Sequence, residues 1–141
     1  MLKVVIDTNV LVSALLKPDS IPELIISLIL ENHMILFITE PIVAEYEEVL
    51  SRDKFRSLDR NKVKGFLSRL KAQARWIKPQ AHLDIIRIDR EDNKFLECAQ
   101  EAKADFLVTG NTKHFPFKMF QKTRMVSPAE FLSIIAEKFA I

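Results

Sequence analysis

The sequence predicts a three-layer α/β/α sandwich built on a central parallel sheet of about five strands. Three observations lead there. Val4, Val5 and Ile6, the run 34–38 and the run 106–109 are apolar stretches without alternation, the pattern of strands buried on both faces. Amphipathic segments with helix-start signatures separate these runs. Strands alternating with helices form right-handed crossover units, and such units stack their strands in parallel under helices on both faces.

Each element follows in order. The first strand ends abruptly in Asp7, at the carboxyl edge of the sheet, where ligands of open α/β sheets bind. Asp7 is also a good N-cap for the short apolar segment 10–16. Ser20 and Glu23 form a capping box that opens a helix to about residue 32, with Leu24, Ile25, Leu28 and Ile29 at helical spacing. A second strand spans 34–38. Thr39 caps the next helix and Pro41 falls in its first turn, the helix running to about Ser51. Asp59 caps a long basic helix, 60–74, with Val63, Phe66, Leu67 and Leu70 on one face. Residues 75–78, stopped by Pro79, make a short edge strand. The segment 82–88 is ambiguous. Residues 89–92 lead into a helix ending near Lys103, with Asp89 as a candidate cap. The strand 106–109 closes on Gly110 and Asn111, the glycine permitting the turn. A last strand spans 124–126, and Ser127 with Glu130 repeats the capping box before the C-terminal helix.

Bulk properties narrow the function classes. The 141 residues, 48% of them hydrophobic and 28% charged, suit one globular domain spanning 1–141. One cysteine, Cys98, excludes an intramolecular disulfide and a four-cysteine zinc cluster. Asp7 interrupts the apolar start, and no apolar run approaches the ~20 residues of a membrane span; a cytoplasmic protein is expected. Net charge is +2, but the residues between Phe106 and Ala129 contain no acid while holding Lys113, Lys118, Lys122 and Arg124. Such a surface suits a polyanion or is simply solvated.

The carboxylates are more specific. On the helix after Thr39, the apolar stripe of Ile42, Val43, Tyr46, Val49 and Leu50 leaves Glu45 and Glu47 on its shoulders and Glu40 and Glu48 facing solvent, at about 100° per residue. Helical phase admits either shoulder residue. On the helix after Asp89, the buried face is Phe95, Leu96, Ala99 and Ala102. Asp92 lies one turn ahead of it, while Glu91 and Asn93 are expected to be exposed. A carboxylate in phase with a core needs a partner or a cation; Asp92 also suits the first turn of a capped helix. Asn111 takes the same station on its strand that Asp7 takes on the first. Oxygen ligands without His or Cys suit a hard cation, Mg²⁺ or Mn²⁺.

Four stretches together resemble the PIN domain, the nuclease fold of VapC-type toxins and several RNA-processing enzymes. These are Val5-Ile6-Asp7-Thr8-Asn9-Val10, the segment 39–50, the segment 89–99, and Leu107-Val108-Thr109-Gly110-Asn111. The resemblance covers nearly the whole chain and implies strand order 3-2-1-4-5. It places the second motif's acid on Glu45 and the third's on Asp92. It implies that Asp7, Glu45, Asp92 and Asn111 form the catalytic set, with Asp7, Glu45 and Asp92 as metal ligands. The family often carries Asp where this chain has Asn111, and the amide weakens a second metal ion. Thr8, Asn9 and Thr109 would position these groups, or serve only the turns they sit in. The implied reaction is metal-dependent hydrolysis of RNA to a 5′-phosphate and a 3′-hydroxyl. By the same analogy the protein forms a homodimer and is covered by a small antitoxin.

For substrate contact, Lys113 and His114 open the stretch 113–120, which interleaves cations with aromatics. That suits stacking on a single strand, though its phenylalanines equally suit a core beneath a loop. Two rivals stand beside the ribonuclease. A haloacid-dehalogenase-type phosphatase needs a second Asp where Asn9 stands. A catalytically weak or inactive PIN-fold module that binds RNA or a partner is favoured by Asn111.

Overall fold

The computed structural model describes residues 1–80, 92–115 and 117–138. Among the described residues, six strands form one sheet: β1 (Lys3–Ile6), β2 (Ile35–Ile38), β3 (Arg75–Trp76), β4 (Phe106–Val108), β5 (Met119–Phe120) and β6 (Thr123–Val126). The helices are α1 (Thr8–Leu16), α2 (Ile21–Leu30), α3 (Glu40–Leu50), α4 (Arg60–Gln73), α5 (Asn93–Ala102) and α6 (Pro128–Lys138). The sheet order is β3-β2-β1-β4-β6-β5, a mostly parallel sheet flanked by helices. The five strands expected from the sequence stand in the expected order.

The sixth strand departs from expectation. Met119 and Phe120 pair antiparallel with Arg124 and Thr123, across a turn in which Gln121 takes a left-handed backbone, φ 54°. Two residues are too few for a strand pattern to show, and the aromatics beside them hide the turn. Gly110, by contrast, needs none of its freedom: no glycine among the described residues has a positive φ, and a Cβ at Gly110 would meet open space.

β1 lies between its two long-range partners. Val4, Val5 and Ile6 are fully buried, pairing with β2 at Val4↔Leu36 and with β4 at Val5↔Leu107 and Ile6↔Val108. Because β2 and β4 leave β1 in opposite directions across the sheet, the carboxyl ends of β1 and β4 bound the switch point at which α/β sheets bind ligands. α5 packs on β1, β2 and β4, and its Phe95, Leu96, Cys98 and Ala99 are all buried. Burial pushes the Cys98 thiol up to about 12, leaving it a packed apolar group rather than a nucleophile. Asn93, expected at the surface, is 6% exposed. It stands three residues before Leu96, so helical phase turns it to the same buried side.

The caps form as the sequence implies. Ser127 and Glu130 bond reciprocally, Glu130 N–H to Ser127 Oγ at 3.1 Å and Ser127 N–H to Glu130 Oε1 at 3.3 Å. Glu23 N–H donates to Ser20 Oγ at 3.3 Å, while Glu23 Oε1 accepts from Asp19 N–H, one residue earlier than in the standard box. Thr39, 2% exposed, accepts from Ile42 N–H at 3.3 Å and so anchors the helix that carries Glu45. Thr39→Ala should cost about 1 kcal/mol, read as a lower urea midpoint at unchanged slope.

Asp89, Glu91 and the segment 82–88 lie outside the described residues. Among the described residues, no helix is long and apolar enough to cross a membrane.

Candidate active site

Asp7 follows β1 directly and caps α1. Its Oδ1 accepts from Val10 N–H at 3.2 Å, and its Oδ2 accepts from the Thr109 hydroxyl at the end of β4. The backbone N–H of Asp7 in turn donates to Val108 O at 3.0 Å. β1 and β4 are thus locked together at the point where the carboxylate emerges. Asp7 is 4% exposed. Burial raises its pKa; the Thr109 hydroxyl and the N–H groups of Val10 and Asn9 pull it back down, and nearby Glu45 pushes it up. Desolvation outweighs the hydrogen bonds, so this carboxylate carries an incompletely compensated charge.

A pocket of about 160 Å³ opens over it. Its walls include Asp7, Thr8, Asn9, Glu45 and Asp92, with Val12 and Phe95 as apolar lining and Arg52 and Lys54 also in the lining. Glu45, from α3, turns its carboxylate into this pocket, where Oε2 accepts from the Thr8 hydroxyl and Oε1 from Lys94 Nζ at 2.7 Å. Glu47, the other shoulder residue, is exposed and lies 3.9 Å from Lys71 instead. Glu48 pairs with Arg52 at 2.8 Å, one helical turn on. Asp92 stands just ahead of α5, half-buried, and makes no side-chain capping bond. A larger depression of about 520 Å³ beside β3 is lined by Thr39, Pro41, Trp76 and Lys78 and shares no residue with the carboxylate pocket.

The remaining sequence candidates are placed as follows. Asn9 is exposed at the pocket wall. Thr109 is fully buried behind Asp7. Asn111 is exposed and absent from the pocket lining; its backbone N–H donates to Thr109 Oγ1 at 3.0 Å, and it precedes a short 3₁₀ turn, Thr112–His114. Lys113 is exposed and lies at another groove with Phe115 and Lys118. The His114 side chain lies outside what is described. The aromatics of this stretch pack rather than present themselves: Phe115 is buried, and Phe117 stacks on Phe120 at 5.5 Å.

Arg52 and Lys54 in the lining, and Lys94 on Glu45, stand outside the residues expected from the sequence. Lys94 carried a usable signal, since it stands four residues before buried Cys98 and eight before buried Ala102. Arg52 and Lys54 follow the end of α3 in a connection, where no periodicity marks direction.

The donor chemistry of the pocket fits a hard divalent cation. Asp7, Glu45 and Asp92 supply carboxylate oxygens only, and Glu45 already holds a cationic group, the Lys94 ammonium. Among the described residues, no three acidic, His or Cys side chains are gathered tightly enough to hold one ion; the acids line a wall rather than close a cage.

Comparison with known proteins bears on this pocket. A family model described as the PIN domain matches residues 3–113, which takes in Asp7, Glu45, Asp92 and Asn111. The uncharacterized protein MJ1680 of Methanocaldococcus jannaschii is 34% identical over 112 residues, 78% of this chain and 71% of that protein.

Proposed function

The chain belongs to the PIN domain family, and on that premise we propose that it is a metal-dependent ribonuclease hydrolysing RNA at the Asp7–Glu45–Asp92 pocket. PIN domains are generally nucleases. The observation that carries the finer reading is that three acids from three separate elements, the end of β1, α3 and the head of α5, line one pocket at the switch point of the sheet.

Mg²⁺ or Mn²⁺, when bound, supplies an acidified water and neutralises charge on the attacked phosphate. Asp7, Glu45 and Asp92 would hold it together with water, since they line a wall rather than close a cage. Everything else is done by the chain. The Thr109 hydroxyl and the Val10 N–H hold both oxygens of Asp7, fixing the direction in which its remaining lone pairs point. The Thr8 hydroxyl does the same for Glu45. Arg52 and Lys54 bring positive charge to a pocket otherwise rich in acid, and so favour approach of a phosphodiester. Asn9, exposed at the wall, would donate to a phosphate oxygen.

The test is cleavage of a labelled single-stranded RNA with Mg²⁺, with Mn²⁺ and with EDTA. Cutting that requires the metal supports the proposal; cutting unchanged by EDTA, or none with either metal, overturns it. Lys54→Ala should weaken RNA binding several-fold at low salt and reduce the slope of log affinity against log salt by about 0.7, measured by fluorescence anisotropy across a salt series.

A homodimer, a small antitoxin that covers the pocket, and contact of Lys113 and His114 with RNA belong to the same proposal. A second reading, an RNA- or partner-binding module without cleavage, rests on Asn111, an amide outside the pocket where the family often has a carboxylate. Under it, RNA would bind but remain intact with either metal.

A further inference from the structure

One carboxylate of the pocket, Glu45, already has a cationic partner from the protein itself. Lys94, the second residue of α5, reaches across to α3 and places its ammonium 2.7 Å from Glu45 Oε1, with only 16% and 20% of the two side chains exposed. The other oxygen of Glu45 is engaged by the Thr8 hydroxyl. The hydroxyl leaves the carboxylate charge in place, whereas the ammonium neutralises it.

Resting on the reading of this pocket as a metal site, we infer that Lys94 is an internal competitor for the divalent ion, and that it holds the metal affinity of the RNA-free protein low. The competition arises from a shared ligand and from like charge. A divalent ion bound directly to Glu45 stands about 2.1 Å from a carboxylate oxygen, within a few ångströms of the ammonium seat. At that separation, in a half-buried site, two positive charges repel strongly. The ion must therefore move Lys94 off Glu45 or accept Glu45 only through water. Either route raises the metal concentration needed for half-saturation. Arg52 and Lys54 differ in kind: both are exposed, so water screens their charge.

The inference separates Lys94 from a residue that merely packs. A structural Lys94 would stabilise the metal-bound and metal-free protein equally. A competitor stabilises the metal-free form at the expense of the metal-bound form, so its removal widens the gap between them.

The experiment is titration of the full chain with Mn²⁺ alone, following free Mn²⁺ by electron paramagnetic resonance, with melting temperature read in parallel at zero and saturating Mn²⁺. Lys94→Met, which keeps the unbranched stem without the charged tip, should tighten Mn²⁺ binding by about tenfold or more. It should also melt lower than wild type in EDTA, and gain more from Mn²⁺ than wild type does. Lys94→Arg keeps the charge and should bind Mn²⁺ within about threefold of wild type, since it restores the competitor. Should Lys94→Met fail to fold without metal, Lys94→Gln retains a hydrogen bond to Glu45 and should tighten binding in the same direction.

The outcomes are distinct. If wild type binds Mn²⁺, Asp7→Asn loses it, and the uncharged Lys94 variants bind no tighter than wild type, the competitor role is overturned while the metal site stands. If neither wild type nor any Lys94 variant binds Mn²⁺, both fall. Binding gained on removing the charge and lost again in Lys94→Arg establishes the competition.

Discussion

Asp7→Asn is expected to lower metal-dependent RNA cleavage roughly a thousandfold and, in EDTA at neutral pH, to raise the melting temperature. The two effects have one cause. Asp7 is 4% exposed, and burial raises its pKa above the ordinary carboxylate value. Its folded pKa therefore exceeds its unfolded one, so between the two the folded state binds the proton more tightly. Stability of the metal-free protein falls as pH rises from the unfolded value through the folded one, so the penalty grows with pH. The amide has no charge to desolvate and can still accept from Val10 N–H. It cannot supply the negative oxygen that a divalent cation and the acidified water require. Thermal melts of both proteins in EDTA from pH 4 to 8 check the first half: the gap between them should widen with pH. Saturating Mn²⁺ should close it, because only wild type gains from the ion. A melting temperature lower than wild type at every pH would show that Asp7 stabilises the fold.

Tyr46→Ala should cost about 3–5 kcal/mol, a large part of the ~5–15 kcal/mol of a typical domain. Tyr46 is 1% exposed, and its hydroxyl donates to the carbonyl of Ile6, the residue immediately before Asp7. Burial holds the phenol well above its usual range, so it is a donor at neutral pH. The ring supports α3 on the sheet, and the hydroxyl fixes the backbone from which the first acid projects. Tyr46→Phe separates these duties. It retains the ring, costs about 1–2 kcal/mol, and frees the Ile6 carbonyl from its side-chain donor. Cleavage under saturating RNA should fall further than the stability loss explains, with KM little changed, since the displaced group is on the metal side of the pocket. Urea unfolding and steady-state kinetics on the same preparations test this. Equal cleavage in Tyr46→Phe and wild type would confine Tyr46 to packing.

The parts legible in the sequence are those in which local chemistry and tertiary demand coincide. Val4-Val5-Ile6 reads as a central strand because burial on both faces leaves no room for polar alternation. Thr39 and Asp59 read as caps because an N-terminus has few other ways to satisfy its amides, and both cap as expected. Helical phase excluded Glu40 and Glu48 but could not choose between Glu45 and Glu47, since both flank the apolar stripe. The choice depends on where α1 and α5 sit, and the Thr8 hydroxyl and Lys94 ammonium that receive Glu45 come from those two elements. Asn111 enters the expected set through the resemblance and through its strand-end station, which presumes that equivalent strand ends deliver equivalent side chains. They do not here, because after β1 the chain enters a helix capped by Asp7 itself, whereas after β4 it turns at Gly110 into a 3₁₀ segment and Asn111 faces solvent. Lys94 is hard to find from sequence because a lysine ordinarily marks solvated surface, although its spacing from Cys98 and Ala102 puts it in phase with buried residues. β5 has only two residues, below the length at which any period is visible.

The hydroxyl that seats Asp7 arrives 102 residues after it, and one of the two strands beside β1 arrives equally late. During synthesis, at about 5–20 residues per second, the first acid waits roughly 5–20 s before its other wall exists. β1, α1, β2 and α3 can collect beforehand, but the carboxylate then lacks Thr109, and Glu45 lacks Lys94. The pocket is completed only once the strand containing Val108 has left the ribosome. A nascent chain therefore carries Asp7 and Glu45 without the frame that aims them, and the proposed cleavage has to wait until Thr109 has been made and seated.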